Sequence, residues 1–353
     1  MIGSRESVAK TIKHVIARRP VLEPILKAFE DHYEARATLP RTLLPLVIES
    51  GLQLPELTEE HANQGRSMMA GMSLKGFAPV LQKSAETMLP LLAKQEHLKP
   101  YIDTLELFFG VQVPEKPEEG TSEEGKAEEP SSSEELTPTE ALADAIISAD
   151  GASIEKIAKA ADLTGGLSAD ILYFAAHFII SPALHALVMR SVPAVAENAD
   201  LDEQEVNKKM MPAWDKHSAW KQGYCPVCGA MPSISYLDRA LMDENNEFLA
   251  GGGGKKYLHC SLCGSNWHFR RGACPACDKE GADVMEIMRE EKGESGERLD
   301  WCTKCKSYCP AVDLRARGSR PDFDTLALGM MHLDLIAAKK KLKPLNPSFW
   351  NTF

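Results

Sequence analysis

Residues 255–277 read KKYLHCSLCGSNWHFRRGACPAC, an extended approach into Cys260-x-x-Cys263 and, ten residues later, Cys274-x-x-Cys277. Two more units of the same form frame this stretch: CPVC at Cys225 and Cys228, and CTKC at Cys302 and Cys305. Two thiolates set two residues apart can face one ion when the intervening turn aims backbone amides at their sulfurs, and two such turns complete a tetrahedral four-sulfur site. Eight cysteines thus suffice for two ions. Thirty-one residues separate the first unit from the second and twenty-four the third from the fourth, enough in each case for strands that return to the ion. Sequential pairing is the expected arrangement, with Cys225, Cys228, Cys260 and Cys263 in one site and Cys274, Cys277, Cys302 and Cys305 in the other. Alternating pairing, first unit with third and second with fourth, is the competing arrangement. Zinc and a single rubredoxin-like iron both suit four thiolates, so the two ions are expected to be Zn or Fe.

The segments between the units support this reading. Ile234–Leu237 is extended, Gly251–Gly254 offers a turn, and Lys255–His259 reads as a strand entering the next cysteine unit. Val284–Met288 and Arg298–Trp301 flank a polar KGESGE turn, so the second half repeats the first as a metal-stapled β-ribbon. Each site already has four sulfurs, which leaves His259 and His268 to packing and hydrogen bonding. Trp267 and Trp301 are expected to shield the sites. Lys221, Lys255, Lys256, Arg270, Arg271, Lys304 and Lys306 would soften the negative charge that four thiolates and a divalent ion carry. Cys309 is a ninth, uncommitted thiol. Four regularly spaced units favour metal over a thiol–disulfide switch.

Outward from the cysteines, the 353 residues exceed what one hydrophobic core usually organises, and the first 224 contain no cysteine. Met1 to about Gly110 has apolar residues at spacings of three and four, in VLEPILKAFEDHYEARATLPRTLLPLVI and VLQKSAETMLPLLAKQEHLKPYIDTLELFF, with Pro40, Pro55, Pro79, Pro90 and Pro100 as punctuation. Several helices of ordinary length follow, some kinked. Glu115–Glu135 carries nine glutamates against two lysines, most of the chain's net charge of −11, and reads as a solvated acidic linker. Thr137-Pro138-Thr139-Glu140 is a helix-start signal, with Thr137 capping and Glu140 reaching back. The alanine-rich helices beyond it are expected to join those before the linker in one domain.

Ile171–Met189 is nineteen uncharged residues, long enough to span a bilayer. Its His177, Ser181 and His185, and Ser181-Pro182 as cap and first helical position, point instead to two short buried helices. His177 and His185 are read as satisfied histidines. The first twenty residues lack an apolar signal core, so a cytoplasmic location is expected. No phosphate loop, nucleophile elbow or HExxH element is present, and no catalytic residue is assigned. A broad basic footprint for nucleic acid is absent, although Lys339, Lys340 and Lys341 form a small basic cluster.

The expected fold class is multidomain. It comprises a mainly α N-terminal helical domain (1–217, with the linker 115–135 inside it), two small rubredoxin-like or zinc-ribbon β modules (218–269 and 270–316), and a C-terminal helix and tail (317–353).

With CPVCGAMPS at 225–233, KKYLHCSLCGSNWHFRRGACPAC at 255–277 and CTKCKSY at 302–308, the chain resembles the formate dehydrogenase accessory protein family, FdhE. DFDTLALGMMHLDLIAAKK and KPLNPSF look like that family's acidic helix start and its Asn-Pro-containing end. The resemblance implies a helical domain followed by two rubredoxin-like modules in a cytoplasmic protein without turnover. It also implies that the chain assists maturation of the catalytic subunit of a molybdenum- or tungsten-dependent formate dehydrogenase before export. The ligands it implies are the same eight cysteines. Cys309 and the acidic insertion lie outside the family pattern, and Asp322-Phe323-Asp324 only approximates its tail acidic pair. Two other function classes compete: electron transfer by rubredoxin-like iron, and nucleic-acid binding by zinc ribbons, which the net acidity disfavours.

Overall fold

The computed structural model describes residues 6–111, 135–162, 166–191, 220–238, 254–289 and 295–351. The acidic run, most of the Gly251–Gly254 turn and part of the KGESGE turn lie outside them. The helical half contains α1 (Val8–Arg18), α2 (Glu23–Glu49), α3 (Glu59–Asn63), α4 (Ala78–Leu92), α5 (Ile102–Phe108), α6 (Pro138–Ile147), α7 (Gly151–Ala161) and α8 (Ala169–Arg190).

Proline acts differently along these helices. Pro79 sits in the first turn of α4, where its missing N–H costs nothing, but Pro40 and Pro45 lie inside the 27-residue α2 without ending it. Burial of Leu26, Phe29, Leu39, Leu43 and Val47 along one stripe outweighs the lost backbone bonds. The expected pair of short helices around Pro182 is corrected in the same way. α8 is one helix from Ala169 to Arg190, capped by Ser168 rather than Ser181. It is apolar all round because it is the core helix of the body, and 78% of its apolar window is buried.

Thr137 and Glu140 form the expected capping box at α6. Glu140 also accepts from the backbone N–H groups of Gly76 (2.7 Å) and Ala78 (3.1 Å), which ties α6 to the start of α4. Helices on both sides of the acidic run share one hydrophobic cluster.

The strands are β1 (Ile234–Leu237), β2 (Lys256–His259), β3 (Asn266–Phe269), β4 (Met285–Arg289), β5 (Glu297–Cys302), β6 (Ser307–Asp313) and β7 (Lys343–Pro344). They form one sheet ordered β3-β2-β1-β6-β5-β4, with β7 beside β6. The two ribbons are thus halves of a common sheet, joined where β1 runs parallel to β6 through Ser235↔Ala311, Tyr236↔Val312 and Leu237↔Asp313.

After the sheet come α9 (Phe323–Gly329) and α10 (Met331–Lys339), two short helices where one was expected. α1 is fastened to the sheet by Glu297 of β5, whose buried carboxylate pairs with Arg18, with Arg19 at 2.7 Å and with Arg317 at 3.5 Å. The N-terminal helices, the C-terminal segment and strands of both halves of the sheet therefore share one packed core.

Candidate metal centres

All four cysteine units fold into the same turn. The residue after the second cysteine donates its N–H to the carbonyl of the first: Gly229 to Cys225 (3.0 Å), Gly264 to Cys260 (2.9 Å), Asp278 to Cys274 (3.0 Å) and Lys306 to Cys302 (3.1 Å). That residue has a positive φ each time, +83°, +73°, +58° and +65° in chain order. Glycine meets this demand without strain in the first two units, whereas Asp278 and Lys306 meet it as L-residues.

The turns bring together Cys225, Cys228, Cys260 and Cys263, and separately Cys274, Cys277, Cys302 and Cys305. Sequential grouping holds, and the alternating one does not. Cys225–Cys263 and Cys228–Cys260 sulfurs lie at 3.5 Å, Cys274–Cys305 at 3.6 Å and Cys277–Cys302 at 3.8 Å, with all four sulfurs of each group within 4.8 Å of one another. A sulfur tetrahedron with metal–sulfur bonds of 2.3 Å has edges of about 3.8 Å, so both groups are sized for one ion. These separations are far too long for disulfides, and the cysteines are free.

Ser265 Oγ lies 3.2 Å from Cys263 Sγ and Ser307 Oγ 3.4 Å from Cys305 Sγ, where each hydroxyl can donate to a thiolate. Crowding by Cys225 and the other sulfurs, together with burial, drives the Cys228 and Cys260 thiols well above their ordinary range, whereas Cys263 is held well below it. Four buried sulfurs cannot all be anionic without a cation among them. Against its partial burial, Ser307 brings Cys305 down to about 7.

The two groups differ in setting. In the first, the cysteines are 0%, 2%, 0% and 0% exposed and belong to the main core. Its turns are docked on the helical body: Met68 N–H donates to Pro226 O (2.9 Å), Met69 N–H to Val227 O (2.8 Å), and both Arg36 and Ser181 Oγ (3.0 Å) donate to Ser261 O. A side chain at Gly264 would meet the His185 ring at 3.0 Å. The second group lies in a satellite cluster with Val284 and Met285, and its Cys277 and Cys305 are half-exposed.

His259 Nδ1 lies 3.1 Å from Asn266 Oδ1 and its Nε2 3.4 Å from Asp324 Oδ1, so it is a hydrogen-bonding residue near the first group. His268 rests against Tyr257. Trp267 is buried with its indole N–H on Gln222 O (3.3 Å). Trp301 is half-buried under Lys306 and Lys340, whose ammonium nitrogens lie 5.4 and 5.9 Å from the ring centre. Three of the basic residues expected to offset sulfur charge have carboxylate partners: Lys256 with Asp300, Arg270 with Asp278 and Glu280, and Lys304 with Asp283. Cys309 belongs to neither group, and burial pushes its thiol up to about 12.

Asp322 caps α9 through Thr325 N–H (2.9 Å), and Asp324 pairs with Arg36 at 3.4 Å. Sequence reasoning missed Arg36, Met68 and Met69, none of which carries a local signal. The repeated C-x-x-C-x-Ser in CSLCGS and CTKCKS was available as one. A cavity of about 120 Å³ adjoins the first group, lined among others by Tyr33, Arg36, Tyr173, His177, Asp324 and Trp350. Burial, and then the charge of Arg36, lowers His177 there to about 3.

Residues 224–271 match the family model described as FdhE, central domain, which spans the first cysteine group and strands β1 to β3. A "Protein FdhE homolog" of Aquifex aeolicus (strain VF5) is 32% identical over 126 residues, 35% of this chain and 40% of the relative. One of Shewanella baltica (strain OS185) is 32% identical over 143 residues, 38% of this chain and 40% of the relative. These matches span about two fifths of the relatives' length. The crystal structure of the FdhE protein from Pseudomonas aeruginosa aligns over 97% of this chain and 93% of its own, with a TM-score of 0.52 and 16% identity, a likeness of fold. The expected resemblance is borne out by sequence in the cysteine-bearing part and by fold over nearly the whole chain.

Proposed function

We propose, from the FdhE central domain at residues 224–271, that this chain is an accessory factor that binds the catalytic subunit of a formate dehydrogenase and supports its assembly before export. The observation that carries the proposal is the match over the first cysteine group and its ribbon, which is hydrogen-bonded to the helical body. In this reading the helical region 1–217 and the tail 317–353 form the scaffold, and the ribbons 218–269 and 270–316 the stapled surface. The protein acts by binding in the cytoplasm, without turnover, membrane insertion or nucleic acid.

Cys225, Cys228, Cys260 and Cys263 would hold one ion, and Cys274, Cys277, Cys302 and Cys305 another. Zinc or iron fits both sulfur sets, and each ion would hold its pair of turns rigid, above all in the second group, whose own core is a small satellite cluster. A second reading, electron transfer by iron, is favoured by one observation: Cys277 and Cys305 bring the second group to the surface. Co-purification tests the first reading. Tagged chain should enrich formate dehydrogenase subunits from a lysate, and Cys225→Ser should reduce that enrichment; no enrichment by the unmodified chain would refute it. Colour tests the second, since ferric protein is red and bleaches with reductant, whereas a colourless two-zinc protein would exclude it.

A further inference from the structure

The chain is acidic overall, with net charge −11, yet one corner beside the second cysteine group gathers basic side chains. Lys306, Lys339, Lys340, Lys341 and Lys343 are all exposed, and among the described residues none has an ion-pair partner. They are brought together by the fold. β7 pairs with the start of β6 through Ser307↔Lys343, and Lys343 N–H donates to Lys306 O at 2.8 Å. Lys306 and Lys340 both place their ammonium groups over the Trp301 ring. Leu335, 50% exposed, lies one turn before Lys339 on α10.

Two bland explanations cover only part of this corner. Cations in the last turn of α10 complement the helix dipole, which accounts for Lys339 and Lys340 but not for Lys306 or Lys343. Charge balance with the sulfurs would account for Lys306 alone. The backbone supplies the independent argument. Lys306 and Lys341 have φ of +65° and +56°, two of the four non-glycine residues with positive φ among those described. At the turn position of Lys306, the first group uses Gly229 and Gly264, which bear no strain. The second group places Asp278 and Lys306 there despite the strain, and at Lys306 the strained turn holds a cation over Trp301, a pattern that points to a functional role.

We infer that Lys306, Lys340 and Lys343, with Lys339 and Lys341 beside them, form a docking surface around Trp301 for an acidic, extended segment of another protein. Glutamate and aspartate carboxylates meet the ammonium groups, and Trp301 and Leu335 give apolar footing. The net acidity of the chain opposes a long nucleic-acid track, whereas a short acidic peptide needs only this corner. The inference stands independently of the formate dehydrogenase reading.

The test titrates the full-length, zinc-loaded chain into a fluorescein-labelled peptide of eight glutamates and two leucines at low salt, read by anisotropy. Binding should be saturable and weaken as salt rises. Lys340→Glu with Lys343→Glu should weaken it at least tenfold. Lys306→Gly should weaken it about threefold while leaving the thermal midpoint equal or higher, because glycine takes the positive φ freely. Lys156→Glu with Lys159→Glu on α7, an equal change of net charge elsewhere, should alter it less than twofold. Absence of saturable binding would overturn the inference, as would equal losses in the α7 control. Unchanged peptide binding in Lys306→Gly together with faster zinc release would do so too, since Lys306 would then serve the sulfurs. Tighter binding of single-stranded DNA of equal charge through the same lysines would replace the protein partner by nucleic acid.

Discussion

A chelator should strip the two cysteine groups of zinc at rates about a thousandfold apart. Complete release requires both turns of a group to swing away from the ion. In the second group the half-exposed Cys277 and Cys305 can do this with little else disturbed. In the first, opening breaks four hydrogen bonds to the helical body, from Met68 N–H, Met69 N–H, Arg36 and Ser181. At about 1 kcal/mol net for each, undocking costs about 4 kcal/mol, a factor of about 10³ in the open population. Anaerobic zinc-loaded chain mixed with a chromophoric chelator should release one ion in a fast phase and one in a slow phase of equal amplitude. Cys277→Ser should remove only the fast phase. Arg36→Ala combined with Ser181→Ala should speed the slow phase about thirtyfold, for two bonds lost. One common phase, or loss of the slow phase in Cys277→Ser, would refute the reasoning.

Other consequences follow from single residues. Gly264→Ala puts a methyl group against the His185 ring at a φ of +73°, and should lower unfolding stability by about 1–2 kcal/mol in urea titration. Glu297→Ala leaves Arg18, Arg19 and Arg317 around an empty place, and should cost about 3–5 kcal/mol, far more than an exposed pair such as Lys94–Asp31. Asp334 is raised from 3.8 to about 7 by burial, against the hydrogen bond from Tyr308 Oη (2.8 Å). Its folded form holds the proton more tightly, so its contribution is full below the unfolded value and is lost as pH rises through about 7. Between pH 5.5 and 7.5 the chain should lose about 2 kcal/mol that Asp334→Asn does not lose, measured by urea midpoints.

Much of the sheet-rich part was legible because its causes are local. A CxxC unit encodes its own turn, and the extended runs at Ile234–Leu237 and Lys256–His259 alternate around it, so both cysteine groups and four strands could be read directly. β6, the strand that joins the halves, was not foreseen, since Pro310 interrupts SYCPAVD and its pairing with β1 spans more than seventy residues. The same limit applied to α8. Ser181-Pro182 carries a correct local start signal, but the surrounding body buries the segment as one helix and uses Ser181 to hold the first cysteine group. The docking residues Arg36 and Met68–Met69 were illegible for a related reason, because a donor to a distant carbonyl looks in sequence like any other residue.

The central claim is that eight sulfurs hold two ions. Native mass spectrometry of anaerobically purified, tag-free chain addresses it directly, with thiol counting on the same sample. The account predicts a mass excess of two zinc or iron ions per chain, falling to one in Cys228→Ser and in Cys302→Ser and to none in the double variant. A folded chain with no bound metal and all nine thiols titrating freely would contradict it.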